Sequence, residues 1–304
     1  MMTNNLRRLG ILVVLAAVLF LGAVLVAFYH TAVGVTRDIE TGGRPLYAPD
    51  LAVVPEVVAE DAVELAMELF GDYRANSQDF ANQLMAMYAE ARDHDFVVIF
   101  NPGGWGWKFL DTSPGWCTIF DGIEYELASM GYTSLMLDYQ RTESNLHGMV
   151  DEFVELLAVY PSKAENLACR VEFLISHIPD LKVIITGESN GTVIADTAMN
   201  ILQDNPQVYS VQTGSPFWYR SATLDRTLLL NGNGVTPDSF SRGDVSMILW
   251  TSLKASVGQY PSEEEVPGKI LTVLRAPGHD YRWQYPAVYS EIRGFLTHNF
   301  DFKP

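Results

Sequence analysis

An α/β fold, with a mainly parallel β-sheet and helices on both faces, is the class this chain predicts. Three observations carry it. From Phe96 onward, short apolar runs alternate with stretches at helical spacing, the order that repeated βα units produce. The run Lys182-Val183-Ile184-Ile185-Thr186 is apolar and β-branched without alternation, as a strand buried on both faces requires. It leads through Gly187-Glu188-Ser189-Asn190-Gly191 into Thr192 to Met199, where small and apolar residues recur at helical spacing.

The elements follow in order. Leu9 to Phe28 is a charge-free run of twenty residues preceded by Arg7 and Arg8, and as a helix it would span about 30 Å, the thickness of a bilayer core. It is longer than the apolar region of a cleaved signal peptide, and Phe28-Tyr29-His30-Thr31 is a poor cleavage site. The expectation is a cytoplasmic stub and uncleaved transmembrane signal anchor over 1–30, with the remainder on the extracytoplasmic side. A linker over 31–55 is marked by Thr41-Gly42-Gly43-Arg44-Pro45. Residues 56–304 then form one domain, opened by a helical extension over 56–92. In that extension Val58, Ala62, Leu65, Ala66 and Leu69 share one face, as do Phe80, Leu84, Met87, Tyr88 and Ala91. Packing against the main domain is the expected role; a lid over a substrate groove is the alternative.

Beyond it the expected order is strand Phe96 to Phe100, helix Thr118 to Met130, strand Tyr132 to Leu137, and helix Ser162 to Ile178. Ser162 and Glu165 have capping-box spacing at the start of that helix. After the Ser189 turn come strands near Val208 to Thr213, Thr227 to Leu230 and Ile270 to Leu274, then a last helix from Pro286 to Asn299.

Composition narrows the chemistry. The 304 residues carry 37 acidic and 20 basic side chains, a net charge of −17. Such a surface repels phosphate backbones, and no basic stripe is present, so nucleic acid is not an expected partner. Cys117 and Cys169 are the only cysteines, and CxxC and other metal-ligand spacings are absent; neither a metal nor an organic cofactor is indicated. Two buried free thiols and a disulfide both remain open.

A Gly-x-Ser-x-Gly turn between a parallel strand and a helix forces its serine into a strained conformation and lifts the hydroxyl above the sheet. Catalytic groups in such sheets gather beyond the carboxyl ends of the strands. That rule leaves His147 and His279 within reach of Ser189, and His279, in Pro277-Gly278-His279-Asp280, is the better placed to take the serine proton. A carboxylate must hold its other nitrogen. Asp238 follows the strand Thr227 to Leu230 through a loop of turn formers; Asp244 precedes Val245 to Trp250 and fits a helix cap more simply; Asp280 adjoins the histidine. Oxyanion donors are expected from the backbone of Asn190 and from the turn Gly103-Gly104-Trp105.

This pattern resembles the α/β-hydrolase superfamily: the Ser189 elbow, a glycine-rich turn after an early strand, then acid and histidine in that chain order. The resemblance covers about Phe96 to Asn299. It implies an α/β-hydrolase-like fold with Ser189 as nucleophile, His279 as base and Asp238 as its orienter. Two features depart from the pattern. Asn101-Pro102 stands where many lipases and esterases have His-Gly, and the usual first two strands are replaced by two helices. The implied activity is a membrane-anchored serine hydrolase acting on a small-molecule or lipid ester or thioester. An acyltransferase on the same residues and a non-catalytic binding domain are the alternatives. Trp105, Trp107, Trp116, Phe217, Trp218, Tyr281 and Trp283 are candidates to line the substrate site.

Overall fold

Five of the apolar runs become parallel strands. The computed structural model describes residues 51–71, 74–142, 146–222, 224–256, 268 and 274–303. The strands are β1 (Phe96–Phe100), β2 (Ser134–Asp138), β3 (Lys182–Glu188), β4 (Val208–Thr213) and β5 (Thr227–Leu230). They hydrogen-bond in the order β2-β1-β3-β4-β5, every pair parallel. All five residues of β1 and the five inner residues of β3 are buried, which explains their lack of alternation: each side chain faces a helical layer, not water.

The helices are α1 (Glu56–Phe70), α2 (Arg74–Ala91), α3 (Pro114–Ser129), α4 (Leu146–Leu157), α5 (Pro161–His177), α6 (Asn190–Ile201), α7 (Val245–Ser256) and α8 (Pro286–Asn299). They divide between the faces according to the two-residue period of the strands. Val97, Ile99, Val183 and Ile185 meet α1, α2, α5 and α6 in one apolar core. Phe96, Val98, Phe100 and Ile184 meet α3 and α8 in the other. The helical extension is therefore part of the core, with Ala62, Ala66, Phe80, Leu84 and Ala91 all at 0–1% exposure. Burying a side chain the size of Phe80 or Leu84 contributes roughly 1.5–3 kcal/mol. That is packing, not a hinged cover.

Several boundaries differ from expectation for local reasons. Helix α3 begins four residues before Thr118 because Pro114 stands at its first turn, where the missing N–H costs nothing and φ is already helical. In α5 the capping box does not form. Pro161 starts the helix a residue earlier and Tyr160, in the left-handed region at φ 55°, precedes it. Ser162 Oγ then donates to Glu155 Oε1 at 2.7 Å. Strand β2 is shifted, starting at Ser134 because Asp95 engages the backbone and hydroxyl of Thr133. Helix α4 was not expected at all. The strand expected over Ile270 to Leu274 lies outside the described residues except for Leu274, which has no strand structure; the anchor and most of the linker lie outside them too. Among the described residues no helix is long and apolar enough to cross a membrane.

Cys117 lies on α3 and Cys169 on α5, on opposite faces of the sheet, and both are free. Cys117 donates to the Leu110 carbonyl at 2.8 Å. Burial, then the charges of Glu165 and Glu172, pushes the Cys169 thiol up to about 11.

Candidate active site

The carboxyl ends of β1, β3, β4 and β5 deliver the loops that assemble the site. Ser189 joins β3 to α6 with φ 52° and ψ −119°, a region a non-glycine residue occupies only when its surroundings impose it. The surroundings are specific. The Ser189 N–H donates to the Thr213 carbonyl at 2.9 Å, and the Glu188 N–H to the Asn101 carbonyl at 3.1 Å. Both flanking glycines are required by contact: a Cβ on Gly187 would sit 2.8 Å from Thr192 Cα, and one on Gly191 only 2.3 Å from the Asn101 carbonyl oxygen. Asn190 is the first residue of α6, so its N–H has no acceptor within the helix and lies at the positive end of the helix dipole.

His279 is reached from the other side. Its loop packs on the one carrying Asp238 so closely that a Cβ on Gly278 would lie 2.3 Å from the Pro237 carbonyl oxygen. Ser239 fastens the two loops, donating from both its N–H (2.9 Å) and its hydroxyl (3.0 Å) to the Pro277 carbonyl. His279 Nδ1 then meets Asp238 Oδ2 at 2.9 Å, with the side chains 5% and 0% exposed. The imidazole packs edge-on against Phe240, with ring centroids 4.8 Å apart. Its Cε1 stands where a side chain on Gly214 would be, 2.6 Å from that position. Gly214 directly follows Thr213, whose carbonyl holds the Ser189 N–H. The imidazole and the serine turn thus share one rim of the sheet, with Nε2 the ring nitrogen left over.

Asp238 is held as a carboxylate. Burial alone would raise its pKa, but hydrogen bonds from His279 and Tyr281, the charge of His279 and the Ser241 N–H together hold it below the usual carboxylate range. Tyr281 donates to Oδ2 at 2.7 Å, Ser241 Oγ to the same oxygen at 2.9 Å, and the Phe240 N–H to Oδ1 at 2.8 Å. Burial, and next the neighbouring Asp238 charge, pushes the Tyr281 phenol well above its ordinary value. The other two acids are engaged elsewhere. Asp244 caps α7, accepting from the Met247 N–H at 3.0 Å, and Asp280 accepts from Tyr285 at 2.5 Å.

The turn after β1 lies against the serine, and it is not uniform. The Gly103 N–H donates to Glu188 Oε2 at 3.2 Å, which engages one of the three turn amides. A Cβ on Gly103 would be 3.0 Å from Ser189 Cβ, which measures how closely the turn approaches Ser189. Asn101 extends its amide to the Gly191 carbonyl at 2.9 Å. Two residues here carry no sequence signal: Arg141 and Glu152 form a fully buried pair at 2.9 Å beneath the turn. Charged side chains are almost never fully buried unless paired, but a sequence does not reveal which ones will be.

The candidate lining aromatics separate into two groups. Trp116 is core at 1% exposure, Tyr281 serves Asp238, and Trp283 packs where a Cβ on Gly122 would meet its ring; these three are structural. Trp105 and Trp107 stack with centroids 6.2 Å apart, while Phe217 and Trp218 are exposed. The described residues contain no cluster of three His, Cys, Asp or Glu side chains able to hold a metal ion.

No family model matches the chain, and no curated protein matches it in sequence. Among solved structures it is similar to a Trichoderma reesei cutinase in complex with a C11Y4 phosphonate inhibitor. Identity is 15%, 59% of this chain and 77% of that chain are covered, and the TM-score is 0.32.

Proposed function

We propose that the chain is a serine hydrolase that cleaves an ester or thioester through an acyl-enzyme intermediate. The buried His279–Asp238 hydrogen bond, on the same sheet rim as the positive-φ Ser189 turn, is the observation that carries this reading. Ser189 Oγ attacks the carbonyl carbon while His279 Nε2 accepts its proton, and Asp238 stabilises the imidazolium without taking that proton. The Asn190 N–H and the amides of Gly104 and Trp105 face the oxyanion of the tetrahedral intermediate, where each donor lowers the barrier by about 3 kcal/mol. Collapse passes the proton from Nε2 to the leaving alkoxide or thiolate. A water molecule, deprotonated by the same nitrogen, then releases the acid and frees Ser189.

The stacked Trp105 and Trp107, with exposed Phe217 and Trp218, support an apolar acyl or aryl group on the substrate. An alcohol acceptor in place of water would make the same residues an acyltransferase. A binding domain without catalysis has no use for a serine strained in this way. The proposal includes a tether: residues 9–28 anchor the chain in a membrane, with the hydrolase on the extracytoplasmic side.

The test is turnover of p-nitrophenyl esters of graded chain length. Wild type is expected to hydrolyse at least one of them, and Ser189→Ala to lose activity by about 10⁴-fold or more. Folded wild-type protein that hydrolyses none, or an alanine variant as active as wild type, overturns the reading.

A further inference from the structure

The amides proposed to receive the oxyanion belong to a short turn whose own closure is one long hydrogen bond, the Gly106 N–H to the Gly103 carbonyl at 3.4 Å, so further support must hold their direction. That support is Arg141, fully buried three positions beyond the end of β2. Its Nε and Nη2 both meet Glu152 Oε1 of α4 at 2.9 Å. Nη1 donates to Asn101 Oδ1 at 2.9 Å and to the Pro102 carbonyl, and Nη2 donates to the Gly104 carbonyl at 3.3 Å. Glu152 is braced in turn by Thr142 Oγ1 at 2.7 Å, and Lys163 Nζ holds the Arg141 carbonyl at 2.7 Å. Glycine at 106 leaves room for the guanidinium, since a Cβ there would sit 2.6 Å from Arg141 Cγ.

Peptide planarity turns this clamp into an aiming device. In a trans peptide the carbonyl and the next residue's N–H point in opposite directions. With the Pro102 carbonyl drawn onto Arg141, the Gly103 N–H points away from it and meets Glu188 beside the nucleophile. With the Gly104 carbonyl drawn onto the same guanidinium, the Trp105 N–H is turned away from it in the same manner. The clamp also reaches the other proposed donor. Asn101 accepts from Arg141 and donates to the Gly191 carbonyl at 2.9 Å, which ties the start of α6, and hence Asn190, to the turn.

We propose that Arg141, held by Glu152, is a positioning residue that sets the two halves of the oxyanion site, the Trp105 amide and the Asn190 amide, in fixed relation. This rests on the reading of Ser189 as nucleophile. An arginine is required because one planar group must serve a carboxylate, a side-chain amide and two carbonyls at once; a lysine ammonium has three donors and no fixed plane.

The test compares an oxo ester with its thiono counterpart, whose developing negative charge falls on sulfur and depends far less on oxyanion donors. Arg141→Lys is expected to lower kcat on the oxo ester about 100-fold while KM changes by less than about threefold. The thiono ester should lose much less, so that the oxo-to-thiono rate ratio collapses. Glu152→Gln, which keeps shape and loses charge, should shift the ratio in the same direction by about tenfold, and it carries the test if Arg141→Lys does not fold. Equal losses on both substrates, or an unchanged ratio in folded variants, overturn the assignment and leave the pair a purely structural one. Wild-type protein that folds but turns over neither ester overturns the hydrolase reading and this assignment together, whereas active wild type with an unmoved ratio removes the positioning role alone.

Discussion

Ser189 is held at positive φ by its neighbours, and Asp238 is held ionised by hydrogen bonds; each is a local strain or charge that surrounding contacts offset. Replacing Asp238 with asparagine keeps the shape but removes the charge that orients the imidazole. A loss in kcat of about 10²–10⁴ is expected, with KM little changed, by steady-state kinetics. The same carboxylate makes a pH prediction. Its folded pKa lies below the unfolded value of about 3.9, so its stabilisation is complete above that value and is lost as pH falls through the folded pKa. Denaturant titrations should show the stability gap between wild type and Asp238→Asn shrinking below about pH 4; a gap that widens on acidification contradicts the assignment. At this scale the Gly-x-Ser-x-Gly spacing singles out Ser189, whose turn the structure shows at positive φ, and of the two acids weighed for His279 it is Asp238 that meets the imidazole while Asp244 caps α7. Arg141, Glu152 and the contact of Glu188 with the Gly103 amide were not legible, because their partners are distant in sequence and nothing local in their spacing announces them.

The elements that carry these residues were readable where patterning was strong. Strands β1, β4 and β5 and helix α8 begin and end where their apolar runs and flanking turn residues place them. Helix α4 was not, since its first turn follows a polar stretch and its buried Glu152 breaks the expected apolar face. The Asn101-Pro102 departure from the hydrolase pattern also has a structural account: Asn101 bridges Arg141 and Gly191, a task a histidine would not perform with the same two bonds. Two substitutions test the elements. Gly191→Ala forces a Cβ into the Asn101 carbonyl, where backbone must move, so a destabilisation of about 1–3 kcal/mol with a fall in kcat is expected from melts and kinetics. Phe80→Ala empties a core site in α2, and should cost about 3–5 kcal/mol while leaving kcat/KM within a few-fold. A large KM change with little loss of stability would instead make α1 and α2 a cover over the site.

For the whole molecule, one sheet divides two cores, and every group proposed to take a catalytic part lies on a loop or at a helix start along the same edge. That arrangement explains why chain positions as distant as 101, 141 and 189 share one hydrogen-bonded group, and why the hydrogen-bonded pair 238 and 279 packs beside it at Gly214. The net charge of −17 bears on the proposed tether. A strongly acidic chain is repelled by anionic lipid surfaces, so stable membrane association must come from an inserted apolar segment. Full-length protein should therefore stay in the membrane fraction through high-salt and alkaline carbonate washes and be released by detergent; recovery in the wash contradicts the anchor. The proposed covalent chemistry at Ser189 is read out by intact and peptide mass spectrometry after treatment with a fluorophosphonate. A single adduct is expected on the peptide containing Ser189, absent from Ser189→Ala and greatly slowed in His279→Ala. An unmodified, folded wild-type chain, or an adduct on another residue, would contradict it.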